Sequence, residues 1–462
     1  MFKFFLPLLI ILSLPIFSQA KTPAFSEDAV NPKELEQIIR RELDKQKDST
    51  PVQFGAFIDA YHSHNLNRPK VTERNYTTQA VRNDEININL AHIEAKLETD
   101  RYRGRVALQF GTSVNANYLP ESTNQRTSNQ LSVRNIQEAY AGMKIAKNTW
   151  LDGGIYFGHI GFESWISGSN WLYTRALVLD YVPYYASGFR LSHTLSNKLS
   201  IQFHLMNGWS IITDNNRNKS FGFQAAYKPV HHLSLTYNLF IGNEAPTTSA
   251  TNVSTGEATL EYKGNERQTR YYHNFIAHYD FTPKFSMAAS FDVGFQRNPY
   301  SLEYNPVLTS LNPAYFQSTG NPAYIRTEST NSFKQWYNGT IWLTYRFLEE
   351  WRISSRLERY VDLFRGDAGD SSVKTTNVAI AKTSDIYNNQ PYTDRRAGGY
   401  KLQNGFQVGA ISIGLDRNLS EIALLRFEAK YLRSMDPIFD YRDSKDLSRI
   451  ERLFITAISV KF

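Results

Sequence analysis

The chain has 462 residues, a formal net charge of +7, 41% hydrophobic residues and a mean hydropathy of −0.44. It holds no cysteine, which excludes disulfide scaffolds, thiolate metal sites, cysteine nucleophiles and a lipidated N-terminal cysteine together. The aromatic share, 28 Tyr, 29 Phe and 7 Trp, is high for a soluble protein of several domains, and the mild basic excess selects no class of partner by itself.

Phe4 to Phe17 is almost continuously apolar, follows Lys3 and ends in Ser18-Gln19-Ala20. At about 14 residues the run is short of the roughly 20 a membrane-spanning helix needs. The pattern predicts a signal peptide over residues 1–20, cleaved after Ala20, which takes away Lys3 and brings +7 to +6. Residues 21–51 are expected to form a periplasmic N-terminal segment. In it, Asn31-Pro32 starts an amphipathic helix over about 32–48, with Leu35, Ile38, Ile39 and Leu43 at helical spacing. No later segment is apolar for 18 residues, which excludes a helical membrane bundle and leaves an exported soluble protein or a membrane β-barrel.

From Val52 the period is two. Phe54, Ala56, Ile58 and Ala60 alternate with Gln53, Gly55, Phe57 and Asp59, and the pattern returns at Arg105–Phe110, Leu199–Met206, Phe221–Tyr227, Leu233–Ile241, Thr269–Tyr279, Phe285–Phe295, Tyr337–Tyr345 and Leu425–Tyr431. Ile86 and Ile88 share one phase while Ile93, Ala95 and Leu97 share the other, predicting a bulge near Ala91; Tyr400 to Asp416 shows a similar change. About sixteen strands result, within a range of 14–18. The gaps between them alternate short (Glu98–Arg101, Ala146–Thr149, Ser196–Lys198, Lys228–His232, Asp280–Lys284, Leu348–Glu350) and long (His62–Asp84, Thr112–Arg134, Gly158–Ser187, Asn243–Glu266, Arg297–Phe333, Leu363–Gly399, Leu432–Arg449). A soluble sandwich has no reason to sort loop length by parity. A transmembrane antiparallel β-barrel over 52–462, all-β, with short periplasmic turns and long extracellular loops, does. The chain ends with Phe454, Ile458, Val460 and Phe462 on one strand face, a pattern similar to the signal by which barrel-assembly machinery recognises its substrates.

One stretch resembles a known family. Ile136-Gln-Glu-Ala-Tyr140, Gly158-His-Ile-Gly-Phe-Glu163, Asn170-Trp-Leu-Tyr-Thr-Arg175, Pro183-Tyr-Tyr-Ala-Ser-Gly188, Asn207-Gly-Trp209 and Asp214-Asn-Asn-Arg-Asn-Lys-Ser220 occur in order and are similar to the OmpL-like β-barrel porins, also called β-barrel porin-2. The likeness runs from about Gln53 to Phe462, with the specific motifs in the first half. It implies a channel in the outer membrane of a diderm bacterium, surrounded by lipid and passing small hydrophilic solutes or ions. It names no solute and leaves trimer or monomer open, a homotrimer being one expected assembly. The alternative is a plugged or narrow barrel acting in adhesion through its long loops.

In general porins the connection after the fifth strand folds inward. Here the fifth strand is about Trp150–Phe157, so the resemblance implies a constriction built by Gly158–Ser187, with Glu163, Arg175 and Asp180 setting a field across an aqueous eyelet. Strand phase puts Arg103, Arg105, Glu138, Lys144, Arg190, Arg352, Arg356, Arg426, Glu428 and Lys430 toward the lumen, with Asp59, Glu94, Asp152, Asp292 and Glu358 beside them. On the lipid side such charges would cost roughly 2–4 kcal/mol each at mid-bilayer. The signs are mixed with a slight basic excess, which suggests a weak preference for anions. His231-His232 falls in a predicted turn, Gly366-Asp-Ala-Gly-Asp370 lacks calcium-loop spacing, and no nucleophile–base constellation can be assembled, so neither an enzyme nor a cofactor is expected. Basic residues do not cluster as nucleic-acid binding requires.

Overall fold

Alternating apolar residues make a strand stable in lipid only if its neighbours on both sides satisfy its backbone, and the chain meets that condition by closure. The computed structural model describes residues 51–70, 72–74, 76–118, 133–214, 218–244, 249–251, 258–261, 269–304, 324–362, 406–442 and 446–462. The expected signal peptide, the expected helix over 32–48 and Gly366–Asp370 fall outside these residues.

Sixteen strands form one closed antiparallel barrel in chain order. They are β1 (Val52–Asn65), β2 (Ile86–Glu98), β3 (Tyr102–Phe110), β4 (Ile136–Ala146), β5 (Thr149–Phe157), β6 (Tyr185–Ser196), β7 (Leu199–Met206) and β8 (Ser220–Val230). The second half comprises β9 (Leu233–Asn243), β10 (Thr269–Thr282), β11 (Phe285–Tyr304), β12 (Tyr324–Arg346), β13 (Trp351–Asp362), β14 (Phe406–Asn418), β15 (Ala423–Ser434) and β16 (Ile450–Lys461). Two small hairpins, Ser249–Thr251 with Ala258–Glu261 and Phe439–Tyr441 with Asp446–Ser448, stand apart from the barrel sheet. The strands join at one end through turns at 99–101, 147–148, 197–198, 231–232, 283–284, 347–350 and 419–422; the longer connections gather at the other, the loop end.

The seam is made by β16 on β1, from Phe57 opposite Lys461 to Asn65 opposite Leu453. Ala56 and Phe462 exchange backbone hydrogen bonds of 2.6 and 3.0 Å, so the last residue completes the ladder. Phe454, Ile458 and Phe462 stay exposed on the outer face, as do Phe54, Val106, Phe189, Phe221, Phe291 and Ile413, while their inward neighbours are polar or packed. This is the inside-out pattern a lipid solvent selects.

Register departs from regularity where the sequence phase changes. Asp59 pairs with Leu90 and Ala60 with Ile88, so Asn89 is the extra residue of a bulge, two positions before the expected Ala91. It lets Ile86, Ile88 and Ile93 all face outward despite their odd spacing. A second bulge leaves Gln137 unmatched in β4, because Ala107 pairs with Glu138 and Leu108 with Ile136. The expected irregularity between Tyr400 and Asp416 does not occur in the described part: β14 pairs regularly with β13 and β15. β11 and β12 run on to Tyr304 and Tyr324, well into the stretch Arg297–Phe333 that the sequence assigns to a loop. Register shifts at Asn298/Tyr300 and Tyr300/Leu302 interrupt the period there while the pairing goes on.

Gly154 is held at φ 136, and a Cβ there would stand 2.2 Å from the Ala139 carbonyl oxygen on β4. We expect Gly154→Ala to lower stability by about 1–3 kcal/mol in denaturant titrations followed by tryptophan fluorescence. An unchanged midpoint would contradict that.

Candidate functional site

The connection from β5 to β6, residues 158–184, enters the lumen. Gly158 N–H donates to the Tyr184 carbonyl at 2.6 Å, closing the neck, and Gly161 turns the chain at φ 105. Two short 3-10 turns follow, Ser167–Ser169 and Leu177–Tyr181. Ser167 Oγ donates to Asp59 on β1 at 2.6 Å, and Trp165 Nε1 donates to Gln109 on β3 at 2.9 Å. His159 Nε2 lies 3.0 Å from the Leu239 carbonyl on β9, and Trp342 Nε1 on β12 donates to Glu163 at 3.0 Å. Partners on β1, β3, β9 and β12 can be reached by one segment only if it crosses the interior.

The far wall, β13 to β15, holds the loop by charge. Arg356 Nη1 donates to Glu163 at 3.0 Å and to the Thr174 carbonyl at 2.6 Å. Glu428 accepts from Thr174 N and Oγ1 at 2.7 and 2.5 Å, and Glu358 accepts from Leu177 N at 2.5 Å. Arg426 donates to the carbonyls of Ser167 and Asn170 at 2.6 and 2.8 Å, and Arg352 to Asn170 at 3.1 Å. The wall's cations thus satisfy loop carbonyls and its carboxylates satisfy loop amides. Unpaired, those backbone groups would make a buried loop untenable. Lys430 stands 3.6 Å from Glu358 and completes the cluster.

Glu163, Arg175 and Asp180 are all buried. Glu163 belongs to the Arg356 cluster. Arg175 Nη2 donates to Thr78 Oγ1 at 2.5 Å and lies 3.5 Å from Asp180, with its guanidinium over the rings of Trp165 at 4.6 Å and Tyr184 at 4.0 Å. Thr78 comes from the β1–β2 connection and also donates to Asp180 at 2.5 Å, so a second loop is tied onto the first. Burial pushes the Glu163 carboxyl above the usual carboxylate range, with Arg356 pulling it back. Burial also holds His159 near pKa 4, so it is neutral at pH 7.

Toward the turn end the lumen wall is different. Arg103 forks onto both oxygens of Asp152 at 2.6 Å, and Arg190 Nε reaches the same carboxylate at 2.9 Å. Arg105 bridges Glu94 and Glu138, and Lys144 stands 5.8 Å from the Trp150 ring. The side chains of Arg103, Arg105 and Arg190 are 24%, 18% and 17% exposed, against 0% for Arg356 and Arg175, while Asp152 beneath them is fully buried. Of the ten positions expected to line the lumen, Arg103, Arg105, Lys144, Arg190 and Arg352 retain exposure, whereas Glu138, Arg356, Arg426, Glu428 and Lys430 are buried. Four of these five wetted cations lie on β3 to β6, and Arg352 lies on β13.

Sequence phase does not reveal Gln109, which resembles any other inward polar residue, and it does not extend to Thr78 and Thr174, which lie in connections. Trp342 was detectable: a large aromatic on the inward phase of β12 has to meet something inside the barrel. His231 and His232 lie in the β8–β9 turn, ring against ring and against Tyr279. No cluster of three or more metal-ligating side chains occurs among the described residues.

A family profile described as "Putative beta-barrel porin-2, OmpL-like" matches residues 51–462. The chain belongs to this porin family. The match takes in the whole barrel, including the second half, where only pattern supported the resemblance. No curated protein matches the chain in sequence. Among solved structures, the high-pH structure of OprB of Pseudomonas putida superposes with a TM-score of 0.50 at 10% identity, covering 95% of this chain and 100% of that one. An anion-selective porin from Comamonas acidovorans gives 0.48 at 8% identity over 89% and 99% of the two chains. The outer membrane channel DcaP of Acinetobacter baumannii gives 0.47 at 10% over 89% and 97%. At such identities the likeness to OprB concerns the fold, an outer-membrane-type porin barrel.

Proposed function

We propose that this porin passes small hydrophilic solutes by passive diffusion, with a preference for anions set by the β3–β6 wall. The supporting observation is the graded exposure of inward charge: Arg103, Arg105, Lys144 and Arg190 remain wetted, while Asp152 and Glu138 behind them are buried. A solute on the turn side of the loop therefore meets guanidinium and ammonium groups first, with Glu94 as the carboxylate nearest to hand. The β5–β6 loop narrows the lumen, and Glu163, Arg175 and Asp180 serve it as internal fastenings rather than as the eyelet's rim. In this reading residues 1–20 direct export and are removed, residues 21–51 remain in the periplasm, and the loop end of the barrel faces outward from the cell.

A narrow barrel working through its loops is the second reading, favoured by the burial of Arg175, Arg356 and Arg426 at the level of the loop. Planar-bilayer recording separates the two. A diffusion channel gives discrete ohmic steps with a reversal potential displaced toward the anion, and the double substitution Arg103→Gln with Arg190→Gln moves that potential toward zero. Silent membranes with well-folded protein would leave only the second reading.

A further inference from the structure

On several strands the outer face of the barrel is apolar up to the loop end. The outward residues nearest that end are Ile86 on β2, Phe110 on β3, Leu205 on β7 and Phe221 on β8, all exposed. On β13, β15 and β16 arginines take their place. Arg359 on β13 pairs in register with Gly409 on β14, and Gly409 pairs with Arg433 on β15, so the two arginines flank a glycine in one row. Strand spacing sets their backbones about 10 Å apart. Arg452 on β16, opposite Tyr431 of β15, adds a third cation one step diagonally. All three are exposed.

Two features of this row point to a ligand. First, its cations are largely unneutralised: Arg359 Nη2 donates to Gln407 at 2.8 Å, but no carboxylate among the described residues meets Arg359, Arg433 or Arg452. The described outward positions of these strands toward the loop end carry no Asp or Glu. A Cβ on Gly409 would stand 3.8 Å from Arg359 Nη1, so that guanidinium lies against the glycine, with Arg433 on the strand at its other side. Second, each member of the row has a lipid-facing neighbour two residues nearer the turn end: Leu357 beside Arg359, Ile411 beside Gly409, Tyr431 beside Arg433 and Phe454 beside Arg452, all exposed. A ligand on this surface meets charge at its head and apolar surface directly below. Soluble anions have only the first of these, and a protein partner has no reason to follow the boundary of the apolar band.

We propose that the Arg359–Gly409–Arg433 row with Arg452 docks the phosphate of an anionic lipid head group in the leaflet at the loop end, its acyl chains lying on Leu357, Ile411, Tyr431 and Phe454. Guanidinium groups grip phosphate oxygens in pairs, which lysine does not, and the contact is charge-assisted at the edge of a low-dielectric region. The glycine lets the head group approach the sheet between the arginines. None of this depends on whether the lumen conducts.

The test is native mass spectrometry of the full chain released from detergent after incubation with phosphatidic acid, phosphatidylcholine or inorganic phosphate. Wild type should retain phosphatidic acid. The triple variant Arg359→Gln, Arg433→Gln and Arg452→Gln should retain it at least about tenfold less, while Arg417→Gln at the turn end should change nothing. Equal retention by the triple variant, or equal retention of phosphatidylcholine by wild type, overturns the proposal. Complete displacement of lipid by excess inorganic phosphate overturns the lipid part and leaves a free-phosphate site. If the triple variant does not give a heat-modifiable barrel, Arg433→Gln and Arg433→Lys decide: more lipid on Lys than on Gln, and less than on wild type, supports the site, and no difference among the three rejects it.

Discussion

Arg356→Met is expected to destabilise the barrel by about 3–5 kcal/mol and to raise its single-channel conductance together. Arg356 lies within 3.0 Å of Glu163, 3.2 Å of Glu358 and 3.9 Å of Glu428, and it also donates to the Thr174 carbonyl. Methionine fills similar space but leaves three buried carboxylates with Lys430 as the nearest remaining cation, and the loop is the movable part of the cluster. Glu163→Gln should be milder, costing about 1–3 kcal/mol at pH 7, because Arg356 keeps two carboxylates and the amide oxygen can still accept from either Ala176 N or Trp342 Nε1, leaving one of the two N–H groups facing the amide nitrogen. The pH dependence has a definite sign. A carboxyl whose folded pKa is raised contributes most stability below its unfolded value, and the contribution falls as pH rises through the folded one. Relative to wild type, Glu163→Gln should therefore look better at neutral pH than at acid pH. Denaturant titrations at the two pH values, with bilayer recording of both variants, check all three statements. Equal losses for Arg356→Met and Glu163→Gln would show that the cluster does not hold the loop.

The barrel was legible because lipid imposes a rule on every strand it touches: Val106, Leu108 and Phe110 must share a face, and each such face dates a crossing. Where lipid stops, the rule stops, and the pairing of Asn298–Tyr304 with β12 continues only with register shifts at Asn298/Tyr300 and Tyr300/Leu302, so period-two reading does not find the ends of β11 and β12. The bulge in β2 was detected by its change of phase but misplaced by two residues, because Ala91 is small enough to suit either face. The site was legible in a narrower sense. The loop's position after the fifth strand and its content of Glu163, Arg175 and Asp180 were visible, yet their partners were not. Glu163 meets Arg356 across the lumen, 193 residues away, and no spacing encodes that meeting. Strand phase also treats Arg103 and Arg356 alike, since both point inward. Only the route of the loop leaves one wetted and the other buried.

That route can be removed without opening the barrel wall. β5 and β6 are already paired from Phe157 opposite Tyr185, and the Gly158–Tyr184 hydrogen bond brings the loop's two ends together. Replacing residues 160–182 by a short Gly-Ser linker therefore spans a gap that is already closed, and the sixteen-strand ladder retains every interstrand bond. The excised chain should remain heat-modifiable and should conduct several-fold more than wild type. Its selectivity should change in a stated direction. Arg356, Arg426 and Lys430 would become wetted, but so would Asp59, Glu358, Asp416 and Glu428, three cations against four carboxylates. The anion preference of the Arg103–Arg105–Lys144–Arg190 wall would then be diluted, and the reversal potential should shift toward zero even as current rises. A larger conductance with a stronger anion preference would mean that the far wall keeps its carboxylates paired without the loop. An unchanged conductance would mean that the passage is limited elsewhere, with the β1–β2 connection tied to the loop through Thr78 the next segment to excise.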